Sequence, residues 1–138
     1  YIDSSALLRR IFSQGTATAD DAHWSTIQHA VSSELLRVEC LRSADRFRIQ
    51  NRLEEDEYLY RIELIHEALG QTEIVRMSSE ILTRASQPFP SILGTLDSIH
   101  LSTCLLFAQR REKDIILFTF DGQLEKAARS VGQAVLTS

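Results

Sequence analysis

Apolar and polar residues follow two different periods along this chain. Where apolar residues recur every three or four positions the pattern predicts helices, and where short apolar runs are continuous it predicts strands buried on both faces. Helices are predicted over residues 4–12, 33–48, 51–69, 79–85, 94–108 and 124–131. Strands are predicted over residues 1–3, 28–32, 73–77, 114–120 and 134–136. Because the two kinds of element alternate, we expect a single α/β domain over residues 1–138, a three-layer sandwich with a mainly parallel central sheet flanked by helices.

Residues 13–21 interrupt this alternation. The segment is polar, contains one glycine and has no apolar period, so it is predicted to be a mobile loop. Trp24 follows closely and is expected to lie on that loop. Two roles are open for it, packing against the domain or docking a partner.

The composition is that of an ordinary globular protein, with 138 residues, 43% apolar and 25% charged. No apolar run approaches the roughly 20 residues that span a bilayer, and no export signal is recognisable, so we expect a cytoplasmic protein without a membrane partner. Cys40 and Cys104 occur singly within apolar helical patterns. They are therefore predicted to be buried thiols, which excludes a zinc module or a disulfide scaffold.

The distribution of charge matters more than its sum. The formal net charge is −4, which argues against a protein that wraps nucleic acid by bulk attraction. Many arginines nevertheless lie within the first 52 residues, and Arg9, Arg10 and Arg42 are candidates for contacts with RNA phosphates. Solvated helix faces are the alternative interpretation. If four acids form one metal site, the remaining charge balances to zero, so an RNA substrate is compatible with this sequence.

An acid on an apolar helix face is the strongest chemical signal. In the helix predicted over 94–108, with Thr95 as its N-cap, Asp97 and His100 share a face with apolar residues. Asp97 either complements the positive end of the helix or belongs to a site. His100 is interpreted first as a core histidine with a satisfied ring nitrogen, and second as a donor to a carboxylate.

Three further acids are predicted to lie near Asp97. Asp3 and Asp121 follow strands, where an acid either caps the next helix or enters a site at the carboxyl edge of the sheet. Glu39 borders the apolar face of the second predicted helix, where pairing with Arg42 is the simplest alternative to a role in a site. Parallel strands bring their carboxyl ends to one edge, so all four acids can converge there. Clustered carboxylates favour hard divalent cations, Mg²⁺ or Mn²⁺.

Four blocks of sequence, in this order, resemble the PIN-domain ribonucleases, and most closely the toxins of the VapC type: YIDSSALL, SSELLRVECLR, LGTLDSIHLSTCLL and ILFTFDGQLEKAARSVG. The resemblance matches the acidic motif residues of that family to Asp3, Glu39, Asp97 and Asp121, and its motif serine to Ser5. It implies that these four acids are catalytic and bind the metal. Ser5 and Thr119 are expected to orient the carboxylates or water. The short helix that many relatives have is not recognisable in residues 13–24.

The resemblance implies a Mg²⁺- or Mn²⁺-dependent endoribonuclease, the toxin of a type II toxin-antitoxin system. Its expected partners are an RNA substrate such as tRNA or rRNA, a cognate antitoxin and a second copy of the chain. The expected products carry 5′-phosphate and 3′-hydroxyl ends. The alternative is a non-catalytic PIN-like module that binds RNA or protein. A phospho-acceptor signalling domain fits poorly, because the first strand offers one acid and Lys113 precedes its strand.

Overall fold

The computed structural model describes residues 1–13 and 20–137. Seven helices are assigned within them: α1 Ser4–Phe12, α2 Asp20–Thr26, α3 Leu35–Asn51, α4 Glu55–Gly70, α5 Ser79–Ala85, α6 Thr95–Arg111 and α7 Gly122–Ser130. Four short strands are assigned there as well: β1 Val31–Ser33, β2 Glu73–Val75, β3 Leu117–Phe118 and β4 Val135–Leu136. The alternation of strand and helix is the order that the sequence predicts.

A parallel sheet runs through the centre, joined by the first three residues. β1 pairs in parallel with β2, and β3 pairs in parallel with β4. Ile2 lies between these two pairs, forming a parallel bridge with Phe118 and donating its backbone N–H to the oxygen of Val31 at 2.9 Å. The spatial order is therefore β2, β1, residues 1–3, β3, β4. Asp3, Ser33 and Thr119 consequently end up at the same, carboxyl, edge of the sheet.

Side chains that alternate along these strands enter two separate apolar clusters. Ile2 and Phe118 pack with buried residues of α1, α3 and α4. Tyr1 and Leu117, their neighbours in sequence, pack on the other side with buried residues of α6 and α7. Each face of the sheet is thus covered by helices, which confirms the predicted three-layer α/β sandwich.

The bounds of most predicted elements differ from the structure by one to four residues, and two of the differences have a clear cause. The strand predicted over 114–120 is assigned only as Leu117–Phe118, and Ile116, within the apolar run, is 55% exposed. An apolar run therefore overstates a strand when only its middle residues pair in a regular ladder. The loop prediction for 13–21 agrees with the structure at Ser13, which follows the end of α1. It is wrong at 20–21, and so is the absence of a short helix, because α2 begins at Asp20 and carries Trp24. The rest of that prediction, 14–19, lies outside the described residues.

Helix α6 begins at Thr95, the residue that was predicted to be its N-cap. Gly94, not Thr95, is the N-cap residue, and it provides no side-chain hydrogen bond to the helix. Seven consecutive residues, 98–104, are buried, so the second and third turns of α6 are enclosed on nearly every side. This burial fixes the position of α6, whose first turn carries Asp97 at the sheet edge.

The two cysteines and the lengths of the helices bear on the general predictions. Cys40 and Cys104 are both buried and free, as the sequence predicts. Within the described residues, every helix is too short or too polar to cross a bilayer.

Candidate functional site

Asp3 lies at the carboxyl edge of the sheet with only 3% of its surface exposed. It is the N-cap of α1, since its Oδ1 accepts the backbone N–H of Ala6 at 3.1 Å. The hydroxyl of Ser5 donates to the same carboxylate, at 2.8 Å to Oδ1. Burial raises the pKa of Asp3, while these hydrogen bonds oppose the increase. The capping role and a role in the site therefore coexist in one side chain.

Thr119 connects Asp3 to Asp121. Its buried hydroxyl donates to Asp3 Oδ2 at 2.9 Å and accepts the backbone N–H of Asp121 at 3.0 Å. Ser5 makes a parallel connection, because its oxygen also accepts the backbone N–H of Phe120 at 2.8 Å. The two hydroxyls predicted to orient the site thus fix the first strand to the residues that follow β3.

Asp121 begins α7. Its Oδ1 accepts the backbone N–H groups of Gln123 at 2.8 Å and Leu124 at 2.9 Å, which makes it an N-cap with two side-chain hydrogen bonds. Both bonds go to Oδ1, so the carboxylate is held in one orientation. The side chain is partly exposed at the edge of the sheet.

Asp97 lies in the first turn of α6 and is partly buried. A Cβ atom added at Gly94 would lie 3.6 Å from Asp97 Oδ2, so the carboxylate reaches back towards the positive end of its own helix. The pKa of Asp97 is raised to about 6, first by burial and then by the negative charge of Asp121. Asp3 and Glu39 add smaller increases, and His100 opposes them. The other three predicted acids are therefore close enough to destabilise the charge of Asp97.

Glu39 and His100 join α3 to α6. The Nε2 atom of His100 lies 2.5 Å from Glu39 Oε2, and Nδ1 lies 2.8 Å from the hydroxyl of Tyr1. The imidazole is 1% exposed, so His100 is both a satisfied core histidine and a partner of a site carboxylate. Glu39 therefore does not pair with Arg42, whose guanidinium contacts Asp45 at 3.2 Å.

Tyr1 was not singled out among the candidate site residues. Its hydroxyl approaches His100 from the strand that also carries Asp3. The alternation of side chains along a strand places residues 1 and 3 on one face, and this signal is present in the sequence. The Tyr1 hydroxyl could therefore have been predicted from the sequence as a partner of His100.

The chemistry of these residues fits a hard divalent cation. Their ligand atoms are carboxylate oxygens, and mutual repulsion between them is relieved when a cation binds. The arginine ion pairs that the structure describes go to other acids: Asp45, Glu57, Glu73, Glu80 and Glu125. Among residues 1–13 and 20–137, no three acidic, histidine or cysteine side chains already form a metal-binding group. Asp3 and Asp121 have oxygens committed to the hydrogen bonds described above.

The three candidate phosphate-binding arginines have different surroundings. The guanidinium of Arg9 lies 4.2 Å from the ring centre of Phe120, which directly precedes Asp121. The guanidinium of Arg10 lies 4.6 Å from the ring centre of Trp24 on α2. Arg42 lies one turn after Glu39 on α3, and its guanidinium contacts the carboxylate of Asp45. The stacking of Arg9 on Phe120 holds this guanidinium against the residue that precedes Asp121.

Comparison with known proteins assigns this fold to a family. Residues 1–130 match the PIN domain. The chain is also similar to Ribonuclease VapC46 of Mycobacterium tuberculosis (strain ATCC 25618 / H37Rv), with 31% identity over 137 residues, covering 99% of this chain and 95% of that protein. The match to the domain and the match to the relative both extend over the strand ends and helix starts that carry the four acids. The chain belongs to the PIN-domain family.

Proposed function

We propose that this protein is a divalent-metal-dependent endoribonuclease that hydrolyses RNA phosphodiester bonds at the cluster of Asp3, Glu39, Asp97 and Asp121. The observation that carries the proposal is the electrostatic coupling of these four acids. They come from four separate parts of the chain, and burial together with the negative charges of the other three raises the pKa of Asp97 to about 6. A fold does not need such an arrangement for stability, because unpaired like charges at a partly buried edge destabilise it.

The four carboxylates are the residues that would hold Mg²⁺ or Mn²⁺. When bound there, the cation would neutralise charge on the phosphate and activate a water for attack on phosphorus. Asp3 would act from a fixed position, because Ser5, Thr119 and the Ala6 N–H hold both of its oxygens. The capping hydrogen bonds of Asp121 both use Oδ1, so Oδ2 would be available to hold the cation. The products would carry 5′-phosphate and 3′-hydroxyl ends.

Arg9 provides a route for positioning the RNA. Its stacking on Phe120 brings a cation towards Asp121, where a phosphate next to the scissile one can be bound without blocking the acids. Arg10 and Arg42 lie on other parts of the surface and would add contacts further along the strand. These contacts contribute affinity, and they do not select a sequence.

We further propose that the protein is the toxin of a type II toxin-antitoxin pair. The likeness to Ribonuclease VapC46 over nearly the whole of both chains supports this assignment. The expected partners are a tRNA or rRNA substrate, a cognate antitoxin and a second copy of the chain, all in the cytoplasm. Large apolar side chains are available for such contacts, since Ile92 is 85% exposed and Ile49 is 63% exposed.

The test is cleavage of a mixed cellular RNA pool by purified protein, shown to be free of antitoxin, with Mg²⁺, Mn²⁺ or EDTA. Asp97→Asn removes one site carboxylate, and Asp114→Asn makes the same chemical change in an exposed residue that precedes β3, at the opposite edge of the sheet. We expect discrete products with wild type and Asp114→Asn, and none with EDTA or Asp97→Asn. If RNA binds without metal-dependent cleavage and Asp97→Asn binds equally well, the non-catalytic binding module is the correct assignment.

A further inference from the structure

A continuous chain of hydrogen-bonding groups runs from the first strand through α6 to α3. It links the hydroxyl of Tyr1, the two ring nitrogens of His100 and the carboxylate of Glu39, with separations of 2.8 and 2.5 Å. Tyr1 is 6% exposed and His100 is 1% exposed. Glu39 keeps 17% of its side-chain surface exposed, so the chain begins in the core and ends at the site.

The hydrogen-bonding capacity of the three groups determines the direction of the chain. An ionised carboxylate only accepts, so the contact with Glu39 needs a proton on Nε2 of His100. In the neutral ring Nδ1 then accepts, and the donor available to it is the hydroxyl of Tyr1. That hydroxyl carries a proton at neutral pH, because the ordinary pKa of a phenol is about 10. The phenol therefore selects the tautomer of His100 that donates to Glu39.

We propose that Tyr1 and His100 are positioning residues that hold the Glu39 carboxylate at the acidic cluster in the orientation needed to bind a divalent cation. The inference rests on the proposed function, since it assigns to these residues a task within the same site. Two features of the structure argue for it. A buried imidazole needs only satisfied nitrogens, and backbone carbonyls would serve for that, yet this ring contacts a side chain from another helix. Glu39, on α3, also forms none of the helix-capping bonds that hold Asp3 and Asp121.

Substitutions at His100 separate positioning from packing. His100→Gln places an amide N–H close to the position of Nε2 and retains the donor to Glu39. His100→Asn has the same polarity, but its amide reaches only the position of Nδ1. Tyr1→Phe keeps the ring and removes the hydroxyl. Cys104→Ala is the matched control, because it leaves a space at a fully buried position one turn further along α6.

The measurement is titration of metal-free protein with Mn²⁺ by calorimetry, accompanied by kcat and KM for an RNA that the wild type cleaves. We expect His100→Asn to weaken Mn²⁺ binding by about 10- to 100-fold and to lower kcat while KM for RNA is unchanged. His100→Gln should recover most of the affinity, and Tyr1→Phe should lie between the two. Cys104→Ala should bind Mn²⁺ as the wild type does.

Two results would overturn the inference: equal Mn²⁺ affinities for His100→Asn and His100→Gln, or a loss in Cys104→Ala as large as in His100→Asn. If His100→Asn does not fold, Tyr1→Phe decides, because wild-type affinity in that variant removes the role of the hydroxyl. A wild type that binds Mn²⁺ but cleaves no RNA would refute the ribonuclease, and the metal affinities would still decide the positioning role. A wild type that binds no Mn²⁺ overturns both.

Discussion

Asp97 links the chemistry of the site to the pH dependence of folding. Its pKa is about 6 in the folded protein, against an ordinary value of 3.8. The folded state therefore binds this proton more tightly than the unfolded state does, and the stability that protonation provides is present below pH 3.8 and lost as the pH rises through about 6. At neutral pH the ionised side chain destabilises the fold.

Asp97→Asn should consequently be more stable than the wild type at pH 7. The difference should shrink as the pH falls towards 4, because both side chains are then neutral. Thermal unfolding of the two proteins in EDTA, at a series of pH values between 4 and 7.5, measures it. A difference that does not vary with pH would contradict the raised pKa of Asp97.

Thr119 provides a second prediction at the scale of one residue. Thr119→Val keeps the shape of the side chain but removes the donor to Asp3 and the acceptor for the Asp121 N–H. We expect a loss of about 1–3 kcal/mol in the free energy of unfolding, because two buried polar groups lose a partner. Thr119→Ser retains the hydroxyl and serves as the control in urea titrations. Equal stability of the two variants would show that the hydroxyl is not needed.

Asp97 could be singled out from the sequence because it stands on an apolar helix face. Asp3 could be singled out because it ends an apolar strand, although aspartate is also a favoured N-cap residue. The partner of Glu39 was less accessible. The spacing of three residues to Arg42 is visible along the helix, whereas the contact with His100 joins residues 61 positions apart and depends on how α3 packs against α6. Contacts between elements are set by packing, which a local period does not record.

At the scale of elements, α7 shows how one acid serves both the fold and the site. Asp121 caps this helix through Oδ1, and asparagine caps helices about as well as aspartate does. Asp121→Asn should therefore stay within about 0.5 kcal/mol of wild-type stability while losing metal-dependent cleavage. Asp121→Ala should lose cleavage and also about 0.5–2 kcal/mol of stability. Urea unfolding and RNA cleavage of both variants measure the two effects, and undiminished cleavage by Asp121→Asn would remove this acid from the site.

Element boundaries were predicted well where a cap or a breaker marks them. α1 and α5 agree with the sequence pattern, and Asp3 and Ser78 cap them with side-chain hydrogen bonds. The start of α2 at Asp20 was missed because its seven residues carry too little apolar periodicity to stand out from a polar segment. The pattern also failed for β3, since its apolar run extends on both sides of the two residues that pair regularly with β4.

At the scale of the whole molecule, the first strand holds the two halves of the sheet together. Ile2 pairs with Phe118 on one side and hydrogen-bonds Val31 on the other, and its side chain is 5% exposed. Ile2→Ala should lower the free energy of unfolding by about 2–5 kcal/mol, because it leaves a cavity in the apolar cluster that α1, α3 and α4 form against the sheet. Ile92→Ala, at a position that is 85% exposed, should change stability by less than about 0.5 kcal/mol. Similar urea midpoints for the two variants would contradict the central role of this strand.

The two buried thiols offer a way to observe the opening of the protein. Burial raises the pKa of Cys40 to about 12 and that of Cys104 to about 11, so neither thiol is reactive in the closed state. Cys40 belongs to the apolar cluster on one face of the sheet and Cys104 to the cluster on the other. An alkylating reagent would therefore modify each cysteine only when its own side opens. The ratio of the two labelling rates would reveal whether the layers separate together or one after the other, with no probe added to the chain.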